Sequence, residues 1–232
     1  MSYQQNVDEA IRILKERSKI SNLMIGLSGG KDSLCLCELV RMAGIKNVGY
    51  FNMEFLPNLR IQDDLLRYPC ERFGIDFDSI DRVPSEHFMK CMHYSAYTWW
   101  AKSAAKTYPN ISRTDVFAFI AKKHKATIVT GVKKADSMQM LRMVSKARGT
   151  CIYPLENWTL KDVFEFMNER KIGIPPLTKK GVRGVGLEYN NLKFIYENYP
   201  DDFLKIEEIF PFARVILLTH KYYNIKDTMR IV

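Results

Sequence analysis

The chain has 232 residues, 47% of them hydrophobic, and a formal net charge of +9. That length suits one α/β domain with a small extension, and the basic balance favours polyanionic partners such as nucleotides, nucleic acid or an acidic co-substrate. No apolar run reaches membrane-spanning length, and Met1-Ser2-Tyr3-Gln4-Gln5-Asn6 lacks the basic start and apolar core of a signal peptide. The expectation is a cytoplasmic protein with no membrane partner.

Val7, Ala10, Ile11 and Leu14 form an amphipathic stripe that predicts a helix over 7–17. Leu23-Met24-Ile25-Gly26-Leu27 reads as a short buried strand, and Leu34 to Val40 as a helix ending near Ala43-Gly44. Between them lies Ser28-Gly29-Gly30-Lys31-Asp32-Ser33. A strand, a glycine pair and a helix start make a place to hold phosphate. Glycine lets the backbone come close to the anion, and the first helical N–H groups point at it. Ser28 and Ser33 offer hydroxyl donors and Lys31 a full positive charge. The stretch is not a Walker A loop, because Ile25 stands where that motif has its first glycine and Asp32 stands where it has Ser or Thr. Asp32 is left either to hold Mg²⁺ or to cap the helix.

Residues 47–52 predict a second strand, 59–73 a helix stopped by Gly74, and the alternating Ile75-Asp76-Phe77-Asp78-Ser79-Ile80 a third strand. The stretch 84–111 is rich in aromatics and Met; Trp99-Trp100 serves either a base-stacking surface or, as such pairs more often do, core or interface. Ser112 to Lys125 predicts a helix with Val116, Phe119 and Ile120 on one face, ending in Lys122-Lys123-His124-Lys125. Ala126-Thr127-Ile128-Val129-Thr130 predicts a buried strand ended by Gly131. Thr159 is a good N-cap for the helix that follows, with Asp162 in its first turn. Lys179-Lys180-Gly181-Val182-Arg183, with Gly184 and Gly186 beyond, suggests a flexible basic lid. Leu192, Ile195 and Tyr196, then Phe203, Ile206 and Ile209, give helical patterns near the C-terminus. Strands separated by helices imply right-handed crossovers and a parallel sheet.

The five cysteines form no disulfide framework and no C-x-x-C pair, so neither zinc nor an Fe–S cluster is expected. Met138, Met140 and Met143 flank Arg142, as an adaptable surface or as a packed helix face.

The hexapeptide Ser28–Ser33 resembles the PP-loop of the ATP pyrophosphatase, or adenine nucleotide α-hydrolase-like, superfamily. Further segments resemble its branch of phosphoadenosine phosphosulfate (PAPS) reductase, DndC and the small subunit of ATP sulfurylase. Gly131-Val132-Lys133-Lys134-Ala135-Asp136-Ser137, with Arg142 beyond, is similar to that branch's G-x-R-x-x-E-S…R segment, with Lys133 in place of Arg and Asp136 in place of Glu. Pro154, Leu155, Trp158, Asp162 and Val163 match its P-L-x-x-W-x-x-x-D-V segment, and Ile174-Pro175-Pro176-Leu177 its I-P-x-x-P-L stretch.

The resemblance implies an α/β fold: a three-layer, mainly parallel twisted sheet with helices on both faces. It implies a nucleotide-binding domain over 1–187 and a helical C-terminal extension over 188–232. Ser28, Gly29, Gly30, Lys31, Asp32, Ser33, Gly131, Lys133, Lys134 and Arg142 become the expected nucleotide-binding residues, with Lys31 and Asp32 catalytic and Asp32 oriented toward Mg²⁺. ATP with Mg²⁺ is the expected pairing and PAPS the alternative. Glu54 is placed to touch ribose or metal. The reaction implied first is cleavage of ATP at the α-phosphate, giving pyrophosphate and an adenylylated acceptor. A second reading is an adenylyl sulfate-binding protein with lost or altered reductase activity, since the reductases need a nucleophilic cysteine near the C-terminus and no cysteine follows Cys151. A third is a non-catalytic nucleotide- or nucleic-acid-binding module. Family members work within complexes, so a homo-oligomer or a partner protein is compatible with this chain.

Overall fold

The computed structural model describes residues 2–85, 88, 111–146, 150–181 and 185–223. Trp99-Trp100, Cys91 and Arg183 lie outside the described residues.

Helix α1 spans Tyr3–Ser18 and starts earlier than the apolar stripe alone predicts. Ser2 explains the early start. Its hydroxyl accepts from the Gln5 amide while the Gln5 side chain accepts from the Ser2 amide, at 3.3 and 2.8 Å. Strand β1, Asn22–Gly26, leads into α2, Lys31–Met42. Then come β2, Val48–Glu54; α3, Arg60–Phe73; and β3, Asp81–Pro84. Helix α4, Arg113–His124, precedes β4, Ala126–Val129. Helix α5, Met138–Lys146, precedes β5, Cys151–Ile152. Helix α6 is Leu160–Glu169, capped by Thr159 and Asp162 as their spacing predicts. The described chain ends with α7, Pro176–Lys179; α8, Tyr189–Asn198; α9, Pro200–Ile209; and α10, Phe212–Tyr223.

The strands form one five-stranded sheet in the order β3-β2-β1-β4-β5. The hydrophobic central strand β1 pairs in parallel with β2 and β4, Leu23 lying opposite Val48 and Thr127, and β4 pairs in parallel with β5. The α/β architecture is therefore as the strand–helix alternation predicts. Val7, Ala10 and Leu14 of α1, Leu34, Leu36 and Leu39 of α2, and Val163 and Phe166 of α6 bury together with Leu23 and Ile25. A second cluster joins Leu27 and Cys37 to Leu66, Cys70, Ile75 and Ile80.

The predicted third strand is displaced. Residues 77–79 form a 3₁₀ turn, and β3 begins at Asp81. The Asp76 carboxylate accepts from the Asp78 amide at 3.2 Å, and the Ser79 hydroxyl donates to the Asp76 carbonyl at 2.6 Å. These local bonds close a turn that competes with extension. Ile75 and Ile80 are buried, which accounts for the alternation that suggested a strand.

An acid is buried on the apolar face of α2. Glu38 is 1% exposed and accepts from Arg41 at 2.7 and 2.9 Å and from Arg170, just past α6, at 2.9 Å. Burial raises its pKa, but the two guanidinium groups more than offset this and hold it below the ordinary carboxylate value. Its contribution is therefore present above the unfolded carboxylate pKa of about 4.3 and is lost as pH falls through the lower folded value. Glu38→Gln should cost about 1.5–3 kcal/mol at neutral pH, the range for charge-assisted bonds. It should also flatten the acid limb of a stability–pH curve from urea melts; an unchanged limb would show that the clamp is not formed.

The chain divides into two compact units. The first takes Met1–Met53, Leu65–Val83 and Ser112–Pro176, and so holds most of the sheet and its flanking helices. The second takes Glu54–Asp64 and Leu177–Val232 so far as these are described. Within the second unit the buried Asp202 of α9 accepts from the Arg60 and Ile61 amides at 3.0 and 2.8 Å, capping α3 from elsewhere in the chain. Phe55 stacks on Phe210 at 5.8 Å between ring centres. Leu192, Ile195, Phe203 and Ile206 are buried as their spacing predicts, while Tyr196 is half exposed.

Candidate functional site

The site is built where β1 gives way to α2. The Leu27 amide donates to the Phe51 carbonyl at 2.8 Å, and the buried Asn52 amide nitrogen donates to the Leu27 carbonyl at 2.6 Å. Those bonds tie the base of the loop to β2. Gly29 then takes φ +70°, a left-handed conformation that glycine adopts freely. A Cβ on Gly29 would lie 2.2 Å from the Leu65 carbonyl oxygen, so the loop backbone packs directly on α3.

Both loop hydroxyls bond within the loop. Ser28 Oγ accepts from the Gly30 amide and donates to Ser33 Oγ, each at 3.3 Å, and Ser33 Oγ donates to the Gly30 carbonyl at 2.8 Å. Ser28 and Ser33 thus brace the loop. Gly30 is the N-cap of α2 and supplies no side-chain cap, leaving the first helical amides without one. A Cβ at Gly30 would meet only Ser28 Oγ, at 3.4 Å, so this side of the loop is open. An open, uncapped helix start fits a phosphate group.

The charged residues form a chain. Lys31 Nζ lies 2.9 Å from Asp32 Oδ2, and Lys133 Nζ lies 2.8 Å from Asp32 Oδ1. Lys133 Nζ also reaches Asp136 Oδ1 at 3.1 Å, and the Lys133 amide donates to Asp136 Oδ2 at 2.9 Å. The Lys133 side chain is only 3% exposed, against 27% for Lys31. Gly131 permits the approach: a Cβ there would stand 2.9 Å from Asp32 Cβ.

The structure thus brings Lys31, Asp32, Gly131 and Lys133 together and adds Asp136. Lys134 turns elsewhere, its ammonium 3.0 Å from Asn157 Oδ1 and 3.2 Å from Glu156 Oε1. Arg142 is exposed on α5 and makes no ion pair among the described residues. Glu54 is buried at the end of β2, and its carbonyl accepts from the Ser85 amide at 2.7 Å. Of the basic cluster after α4, Lys123 and His124 grip Asp81, at 2.9 and 2.7 Å, leaving Lys122 and Lys125 exposed.

The contribution of Asn52 was not anticipated; a polar residue deep in an apolar strand was its signal. Burial pushes the Cys35 thiol up to about 12 and the Cys151 thiol to about 11, and raises those of Cys37 and Cys70. A thiolate nucleophile at neutral pH does not fit any of these four.

No group of three or more His, Cys, Asp or Glu is placed to hold a metal among the described residues. A Mg²⁺ carried by phosphates needs one or two protein carboxylates, and Asp32 is the one on the loop. Both of its oxygens face lysine ammonium groups in this arrangement.

The strand, glycine-bent loop and open helix start are the arrangement that the PP-loop resemblance implies. Residues 22–192 match the model of the phosphoadenosine phosphosulfate reductase domain family, and the chain belongs to that family. No curated protein matches it in sequence. Among solved structures it is similar in fold to the NH3-dependent NAD synthetase of Campylobacter jejuni subsp. jejuni, with TM-score 0.51, 12% identity and 99% of each chain covered. The U34-tRNA thiolase NcsA of Methanococcus maripaludis, solved with its [4Fe-4S] cluster, gives TM-score 0.50 at 17% identity over 98% of this chain and 83% of its own. The glutamine-dependent NAD+ synthetase of Acinetobacter baumannii, solved with ADP, gives 0.50 at 16% identity over 97% of this chain and 45% of its own.

Proposed function

We propose that this chain binds ATP through the Ser28–Ser33 loop and cleaves it between the α- and β-phosphates, transferring the adenylyl group to an acceptor oxygen. The observation that carries this reading is the glycine-opened, uncapped start of α2 with Lys31 beside it. Attack on the α-phosphorus forms the acceptor–phosphorus bond as the bond to pyrophosphate breaks. The loop amides and Lys31 stabilise charge on the departing pyrophosphate. Bound Mg²⁺ would neutralise charge on the phosphate oxygens, and Asp32 would hold it in exchange for the Lys31 ammonium.

A second reading, binding of an adenylyl sulfate at the same loop, is favoured by the family match itself. The raised pKa values of the four described thiols weigh against reduction by any of them. Calorimetric titration with ATP plus Mg²⁺ and with PAPS, followed by product analysis, separates the two. ATP binding with AMP and pyrophosphate appearing supports the first; binding of PAPS alone supports the second. Lys31→Ala should weaken ATP binding about 10- to 100-fold, the value of one charge-assisted contact. Unchanged affinity would overturn the loop assignment.

A further inference from the structure

We infer that Lys133 is a positioning residue for Asp32 and Lys31 and not a ligand to phosphate; the inference rests on the loop reading above. The second motif delivers a cation to the site, and the expectation for such a cation is contact with the ligand. The geometry gives it other work. The Lys133 ammonium is almost fully covered and sits between two carboxylates, 2.8 Å from Asp32 Oδ1 and 3.1 Å from Asp136 Oδ1. Removing an ammonium from water is costly unless it is paired, and here two acids pair it. If Lys133 swung out to meet a phosphate, both carboxylates would be left facing each other and the incoming anion. The cost of that exchange favours Lys133 staying in place.

What Lys133 does in place is set the loop. It fixes Asp32 Oδ1, which leaves Oδ2 turned toward Lys31 at 2.9 Å. Lys31, the first residue of α2 and more exposed, is then held by Asp32. Asp136 holds Lys133 from behind through both ammonium and amide. The four charges, Lys31, Asp32, Lys133 and Asp136, sum to zero, so an anion meets a neutral frame and not a bare carboxylate. The departure from the family pattern gains a physical sense here: a compact ammonium fits between two carboxylates as a point charge, whereas a planar guanidinium is built for side-by-side forks.

Two measurements test this on the full chain. The first needs no ligand: reductive methylation followed by mass spectrometry, read lysine by lysine. Lys133 should react at least about tenfold more slowly than the exposed Lys125, and Asp136→Asn should speed it, since each tenfold step corresponds to a modest change in free energy. Labelling of Lys133 at the rate of Lys125 would overturn the inference. The second is titration with inorganic pyrophosphate in the absence of Mg²⁺, for wild type, Lys133→Gln, Asp32→Asn and the double variant. Lys133→Gln should weaken binding about tenfold, and the loss should vanish in the Asp32→Asn background, as in any pair whose effects are coupled. A direct phosphate ligand would instead cost the same in both backgrounds, and that result would overturn the inference. Thermal melts identify a variant that fails to fold, and the double variant, which removes both charges, keeps the comparison open. If wild type binds neither pyrophosphate nor ATP, the proposed function falls, while the methylation result still decides whether the Lys133 charge is committed to its two acids.

Discussion

Gly29→Ala should destabilise the protein by roughly 2–5 kcal/mol, combining the left-handed backbone penalty with overpacking. The cause is local and double. Residue 29 sits at φ +70°, and a methyl group there would stand 2.2 Å from the Leu65 carbonyl oxygen and 2.8 Å from its carbon. Both obstacles are backbone, so no side chain can turn aside to make room. The measurement is a urea melt: the midpoint should fall with the slope unchanged. Gly30→Ala is the control. Its φ is −85°, and its methyl would meet only Ser28 Oγ at 3.4 Å, so the cost to folding should stay within about 1 kcal/mol, as for a change of N-cap residue. A Gly29→Ala protein that melts with the wild type would mean that the loop does not pack on α3 in this way.

Trp158→Ala should cost about 3–5 kcal/mol, the range for truncating a buried aromatic. Trp158 is 1% exposed and meets Phe166 and Tyr3 edge-on, at 5.2 and 6.4 Å between centres. Its indole N–H donates to the Asn6 carbonyl at 3.3 Å. One side chain thus joins α1 to α6, and its loss leaves a cavity and removes that hydrogen bond. Circular dichroism melts are the suitable measurement, because the substitution removes a fluorophore. Trp158→Phe keeps the ring packing and loses the N–H, so it should recover a large part of the difference. A melting point near wild type for the alanine variant would show that the α1–α6 contact is not formed.

The residue order of the loop was itself legible: a buried strand, two glycines, a lysine and an apolar helix are local signals. The cap of α6 was legible for the same reason, since Thr159 and Asp162 lie three positions apart and bond to each other's amides. What escaped was tertiary. Lys133 and Asp32 are 101 positions apart, and nothing along the chain says that the ammonium folds inward and not toward ligand. Glu38 carried a usable signal: it stands among Cys35, Leu36, Cys37, Leu39 and Val40 on α2, and an acid on so apolar a stretch requires a partner. Arg41 was readable as a neighbour, three positions on, but Arg170 was not. The misplaced third strand shows a local effect of another kind, in which an aspartate bonding to its own backbone outweighs an alternating pattern.

The Asp202 cap bears on the order in which the chain acquires its structure. The Arg60 and Ile61 amides find their acceptor 142 and 141 positions later. At a synthesis rate of about 5–20 residues per second, they wait on water for roughly 7–28 s before that carboxylate leaves the ribosome. The opening turn of α3 is therefore completed only when α9 arrives, however early the rest of that helix winds.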